Sequence, residues 1–209
     1  MLVNSTVVNV KLPKVYHILP TANLESVLRL GLYNHIHGRE AKSVDFSETA
    51  VQKRRANKML SGKSLHHFVC TFLNTKNKMS FRYFKEKRDY VILELKSGLF
   101  NAYDFYFSLH NAASDKATFH SIHNSDFPYD KIQLISNMKY EEVQNISKDY
   151  ARSAMMSEFL FDTDRISSRY INRIIIHKDS VIEQFYCFLN MGVEFSIDED
   201  NEFFFQERR

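Results

Sequence analysis

Between Met155 and Phe161 the chain reads MMSEFLF: six Met, Ser, Phe or Leu residues around one carboxylate, Glu158. The run has the composition of a buried strand. A buried carboxylate costs several kcal/mol in desolvation unless it is paired or hydrogen-bonded. The chain must therefore fold so that Glu158 meets a partner, as an ion pair, a capping group or a catalytic group. Strand alternation puts Met156, Glu158 and Leu160 on one face and Ser157, Phe159 and Phe161 on the other. An ion pair with Arg152, Arg165 or Arg173 competes with an active-site role, and periodicity leaves both open.

A chain of 209 residues, 44% hydrophobic and 14% aromatic, can bury a substantial core, so residues 1–209 are expected to form one domain. A formal net charge of +3 excludes binding to nucleic acid by bulk charge and leaves only a local patch. Cys70 and Cys187 lie in apolar runs without metal-ligand spacing, and read as buried free thiols in a reducing compartment. The N-terminus lacks a basic-then-apolar leader, and no apolar run reaches about 18 residues. A cytoplasmic protein without a membrane segment is expected.

VVNVKL and KVYHIL read as strands, the second closed by Pro20. TANLESVLRLGL reads as a helix capped by Thr21 or Asn23, with Leu24, Val27, Leu28 and Leu30 on its apolar face and Gly31 after its end. SETAVQKRRANKML is a second helix, opened by Ser47 and Glu48. LHHFVCTFL, DYVILELK, YARSAMMSEFLF and SRYINRIIIHK read as strands. DSVIEQFYCFLNMG is a late helix, capped by Asp179 or Ser180, and VEFSIDEDNEFFFQ a closing strand or hairpin. The class is α+β on a mixed or antiparallel sheet.

Tyr16 and His17 sit at a strand end before a helix, a corner that presents groups to ligands; they alternate, so one faces the core and the other out. Arg54 and Arg55 lie in VQKRRANK, which also fits a solvated helix face. Residues 74–89, NTKNKMSFRYFKEKRD, hold six Lys or Arg residues with Phe81, Tyr83 and Phe84 between them. Cations beside aromatic faces suit a groove for single-stranded nucleic acid. LHNAAS, with Asn111 and Ala112, is a small-residue loop made for close approach. His110, His120 and His123 flank it without the spacing of a zinc site, and no metal is expected.

In order along the chain, the YH strand, the NL…L…GL helix, the RR helix, LHHFVCTFLNTKNKM, YVILEL, FYFSLHNAAS, SEFLF and INRIIIH resemble the DarT-type ADP-ribosyltransferases. These are toxins that attach ADP-ribose from NAD to bases in single-stranded DNA. The resemblance runs from Tyr16 to the C-terminus. It implies an ADP-ribosyltransferase fold, two packed, mainly antiparallel sheets with flanking helices around an NAD cleft. It implies Glu158 as the catalytic carboxylate and Arg54 or Arg55 as the second catalytic residue. It places His17, Tyr16, Asn23, Phe72 and Met79 at NAD, with NAD as substrate. Lys76, Lys78, Arg82, Tyr83, Lys85, Asn111 and Ala112 fall to the nucleic acid. The sequence departs from the family's usual LHDYVPFYF at LHHFVCTFL, and has MMS before EFL.

The implied chemistry loosens the bond between nicotinamide and ribose, with Glu158 stabilising the oxocarbenium-like charge. Arg54 or Arg55 assists the loss of a proton from the acceptor base, thymine in the first instance. The same chemistry on RNA, an inactive nucleic-acid-binding relative, and a generic α+β domain with an incidental buried Glu are the alternatives. The resemblance also implies a macrodomain-type antitoxin partner.

Overall fold

The computed structural model describes residues 12–40, 43–45, 48–139, 151, 153–178, 180 and 182–206. The first strand, β1 (Val15–Pro20), runs through the middle of the main sheet. A short turn leads into α1 (Leu24–Leu30), which buries Leu24, Val27 and Leu28. Leu30, expected on the same face, is exposed because the helix ends beside it. Gly31 stops α1 at φ +94°, and a Cβ there would lie 2.5 Å from the Ile166 carbonyl oxygen, so the position demands glycine.

Along the chain follow β2 (Leu32–Tyr33), α2 (His35–Glu40), α3 (Thr49–Asn57), β3 (Met59–Leu60), β4 (Lys63–Ser64), β5 (Val69–Phe72) and α4 (Lys78–Lys85). Then come β6 (Tyr90–Leu95), α5 (Leu99–Ala102), β7 (Phe105–Ser108), β8 (Phe119–Ser121), α6 (Tyr129–Ser136) and β9 (Glu158–Phe161). The last elements are β10 (Arg165–Ile166), β11 (Ile171–His177) and β12 (Glu194–Asp198). Among the described residues eight strands share one sheet in the order β12-β11-β6-β1-β5-β9-β7-β8. Its pairs are antiparallel except β11 with β12.

The expected α+β class and mainly antiparallel pairing hold. The two expected sheets are two four-stranded halves of one ladder. β1 pairs with β6 from Val15 to Pro20 but is in register with β5 at Tyr16 and Phe72. Among the described residues the halves share one register pair, so β1 and β5 line a cleft beside it.

Alternation in β9 sends Phe159 and Phe161 into the main core, where they meet Phe100 and Phe105 ring to ring. Leu160 packs on the other side with Leu65 and Phe68. The predicted strand over YARSAMMSEFLF begins only at Glu158. Met155, Met156 and Ser157 donate their N–H groups to Ala151, Ser153 and Ala154, a local helical pattern that satisfies the backbone before the strand starts.

Other expectations are corrected. The basic-aromatic stretch is helix α4, started by a capping box between Asn77 and Ser80. The late helix is a 3-10 helix over Ile182–Met191, and Cys187 on it is exposed rather than buried. Arg173 pairs with Glu94 at 2.9 Å, and Arg165 lies over the Tyr33 ring, so neither partners Glu158. Arg152, Ser47, Asp179 and all of VVNVKL but Leu12 lie outside the described residues. Among the described residues no helix is long and apolar enough to cross a membrane.

Phe159 is fully buried against four aromatic rings. Truncating it leaves a cavity under the strand that carries Glu158. Phe159→Ala is expected to cost about 3–5 kcal/mol in urea unfolding; a loss under about 1 kcal/mol would contradict this packing.

Candidate active site

Glu158 opens β9, flanked in register by Phe72 on β5 and Ser108 on β7. Phe72 is also the residue that joins the halves, so the carboxylate stands at the seam. Its side chain is 1% exposed. Arg55 Nη1 donates to Glu158 Oε2 at 3.0 Å, and the Ala112 backbone N–H donates to Oε1 at 3.1 Å. Both donors reach a charged acceptor in a dry site, where such bonds are strong.

Arg55 comes from the last turn of α3. Its second terminal nitrogen, Nη2, donates to Cys70 Sγ on β5. Burial opposes the guanidinium charge, but Cys70 and Glu158 beside it outweigh burial and raise its pKa. Arg55 is therefore a fixed cation. Arg54, one residue earlier, is exposed along the same cleft. Of the two arginines, the helix brings Arg55 to Glu158.

The cleft holds about 650 Å³, within the size range of small-molecule sites. His17, Phe72, Met79 and Met156 line it with Arg55 and Glu158. His17 Nδ1 lies 2.9 Å from the Cys70 carbonyl oxygen. A carbonyl only accepts, so Nδ1 carries the hydrogen. Burial lowers the His17 pKa and keeps the ring neutral, which makes Nε2 an acceptor.

Several expected contacts fall elsewhere. Tyr16 is no part of the cleft wall: its ring packs on Phe203, and burial together with Glu94 pushes its hydroxyl up to about 12. The Asn23 side chain lies along the cleft, but its amide both donates to and accepts from the Val44 backbone at 2.8 Å, and does not cap α1. Tyr83 lines the cleft as well, but is buried edge-to-face against Tyr90. Lys78 and Arg82 line the cleft itself rather than a separate groove. Arg82 and Arg88 share Glu86, while Lys85 lies over the Phe81 and Phe84 rings, which pack on Phe205. Lys76 precedes α4. Ala112 is fully buried and serves Glu158 through its backbone, and Asn111 lines the cleft while its Oδ1 accepts from the Ala113 N–H.

Sequence reasoning missed the residues that hold this arrangement. Ser157 Oγ donates to the Leu109 carbonyl at 2.5 Å, Ser108 Oγ to the His110 carbonyl at 2.7 Å, and Ser153 bonds His110 Nδ1. These bonds fix the loop that delivers the Ala112 N–H. His120 and His123 face Asp126 and Asp104 separately. Among the described residues no group of three or more His, Cys, Asp or Glu is placed to hold a metal ion.

The family model described as "ssDNA thymidine ADP-ribosyltransferase, DarT" matches residues 16–205. The chain belongs to the DarT family. Its fold is that of the DarT structures. Thermosipho africanus DarTG in complex with ADP-ribose superposes with a TM-score of 0.75 at 18% identity, covering 94% of this chain and 52% of that one. The chain thus spans about half the length of that neighbour. Thermus sp. 2.9 DarT in complex with ADP-ribosylated ssDNA gives a TM-score of 0.71 at 16% identity, covering 92% and 96%. The same DarT in complex with NAD+ gives 0.63 at 15% identity, covering 92% and 97%. No curated protein matches the chain.

In this DarT-family chain the cleft histidines His17 and His35, and His66 stacked on His35, share one electrostatic sign. Burial lowers the pKa of His17 and of His35, and burial with His35 and Arg55 nearby takes His66 down to about 4. His35 and His66 stack with ring centroids 4.1 Å apart, and His66 Nε2 bonds Gln52 at 2.8 Å. Each ring binds a proton more weakly when folded than when unfolded. Their contribution is present above pH 6.5 and is lost as pH falls from there toward about 4. Thermal midpoints should decline steadily from pH 7 to 4.5. A midpoint that stays flat over that range would contradict the burial of these rings.

Proposed function

We propose that this protein transfers ADP-ribose from NAD to a thymine base in single-stranded DNA, as a toxin. The observation that carries the reading is the buried Arg55–Glu158 pair in the cleft of a DarT-family chain. The Thermus DarT captured with ADP-ribosylated ssDNA supports DNA over RNA.

Glu158 meets the ribose hydroxyl of NAD and stabilises positive charge at the anomeric carbon as the bond to nicotinamide breaks. The bonding pair leaves with nicotinamide. The thymine ring nitrogen bonds the anomeric carbon and releases its proton to water. Arg55, a fixed cation, stabilises the negative charge that grows on the base and does not take that proton. His17 Nε2 accepts from a hydroxyl of NAD, and Phe72 and Met79 flank the nicotinamide. Lys78 and Arg82, along the same cleft, serve the NAD diphosphate. Asn111 sits on the loop beside the acceptor, and Lys76 and Lys85 meet the strand. The reading takes residues 1–209 as one domain with a macrodomain-type antitoxin as partner.

Labelled NAD, incubated with separate pools of single-stranded DNA, RNA and protein, tests this directly. Label is expected on DNA. Label confined to RNA or protein would overturn the acceptor. Glu158→Gln and Arg55→Ala should each lower transfer by at least about 100-fold, while Arg54→Ala stays within about 10-fold of the wild type. Equal losses at both arginines would contradict the assignment of Arg55.

A further inference from the structure

Resting on the transferase reading above, we propose that Cys70 is a positioning residue of the reaction, its thiol fixing the plane of the Arg55 guanidinium against Glu158. Cys70 touches two residues placed at the chemistry through two different groups. Its backbone carbonyl accepts from His17 Nδ1 at 2.9 Å. Its Sγ accepts from Arg55 Nη2, while Nη1 of the same guanidinium bonds Glu158.

The strand register makes this placement unavoidable. Cys70 faces Leu160 across the β5–β9 ladder, and Phe72 faces Glu158. Residues two apart share a face, so Cys70 and Glu158 stand on the same side of the sheet, next to one another along the cleft. Thr71, between Cys70 and Phe72, points into the opposite layer and is fully buried.

A guanidinium held at one nitrogen alone can pivot about that bond. A second contact at the other nitrogen fixes its plane, and positioning of this kind governs rate. The second contact must not compete for the cation. Burial pushes the Cys70 thiol up to about 12, with Arg55 pulling it down and Glu158 raising it. It therefore remains a neutral thiol at physiological pH. It accepts from Arg55, and its own S–H donates to the Phe68 carbonyl oxygen. The pair keeps its one-to-one charge balance.

The two contacts separate in an experiment, because only one uses the side chain. Cys70→Ala removes the thiol and keeps the carbonyl that orients His17. Transfer to single-stranded DNA should fall in kcat by about 10- to 100-fold, while the KM for NAD and its Kd by calorimetry stay within about 3-fold. Cys70→Ser restores a group that can accept and donate, and should recover most of kcat. Cys187→Ala, on the exposed 3-10 helix, serves as the control thiol and should match the wild type.

A Cys70→Ala kcat within about 2-fold of the wild type would overturn the proposal. So would a parallel loss of kcat and NAD affinity, which marks a merely structural residue, or a serine variant no better than alanine. Should Cys70→Ala melt below the assay temperature, Cys70→Val fills the space without accepting a hydrogen bond and carries the same test. Wild-type protein that labels no acceptor would instead sink the transferase reading, so the two failures are distinct.

Discussion

Withdrawing the Arg55 guanidinium and the Glu158 carboxylate from water costs several kcal/mol per ion, and their attraction offsets this only where geometry is held firmly. The surrounding structure supplies that firmness. Arg55 and Glu158 lie 103 residues apart, so their contact ties α3 to the sheet. The Ala112 N–H fills one more acceptor site on the carboxylate, and Cys70 occupies the far nitrogen of the guanidinium. Packing alone would favour an apolar pair at such a place. A charged pair kept at a cleft is the pattern of a site tuned for chemistry.

The sheet explains where the pair can exist. The two four-stranded halves meet in register at Tyr16 and Phe72, with His17 bonded to the Cys70 carbonyl beside them, and the cleft lies along β1 and β5. Glu158 starts its strand there, so its backbone is held by β5 and β7 while its side chain reaches the cleft. Directly beneath, Phe159 and Phe161 anchor the strand in an aromatic cluster with Phe100 and Phe105. A rigid strand above a packed core suits a group whose position must be reproduced within a fraction of an ångström.

Much of this was legible from residue pattern. Period-two alternation through EFLF separated Glu158 and Leu160 from Phe159 and Phe161, as observed, but left open which face is the main core. Gly31 ended its helix as its chemistry requires. Long-range partnerships were not legible. Nothing local distinguishes Arg55 from Arg54, because the difference is the direction each takes from one helix turn. Likewise Asn23 resembles a helix cap until Val44, 21 residues on, claims its amide. In the stretch 74–89, charge and aromaticity alone do not reveal the partners. Glu86 binds two of its arginines, and Phe205, far along the chain, covers two of its rings. Cys70 escaped notice because a thiol in an apolar strand looks like any buried cysteine.

The central claim is that Arg55 and Glu158 act as one unit. A double-mutant cycle in kcat for transfer from NAD to single-stranded DNA, built from Arg55→Ala, Glu158→Ala and the double variant, tests it most directly. If the two residues act together, the double variant loses little more than the worse single variant. Losses that simply multiply would show two independent residues and contradict the account.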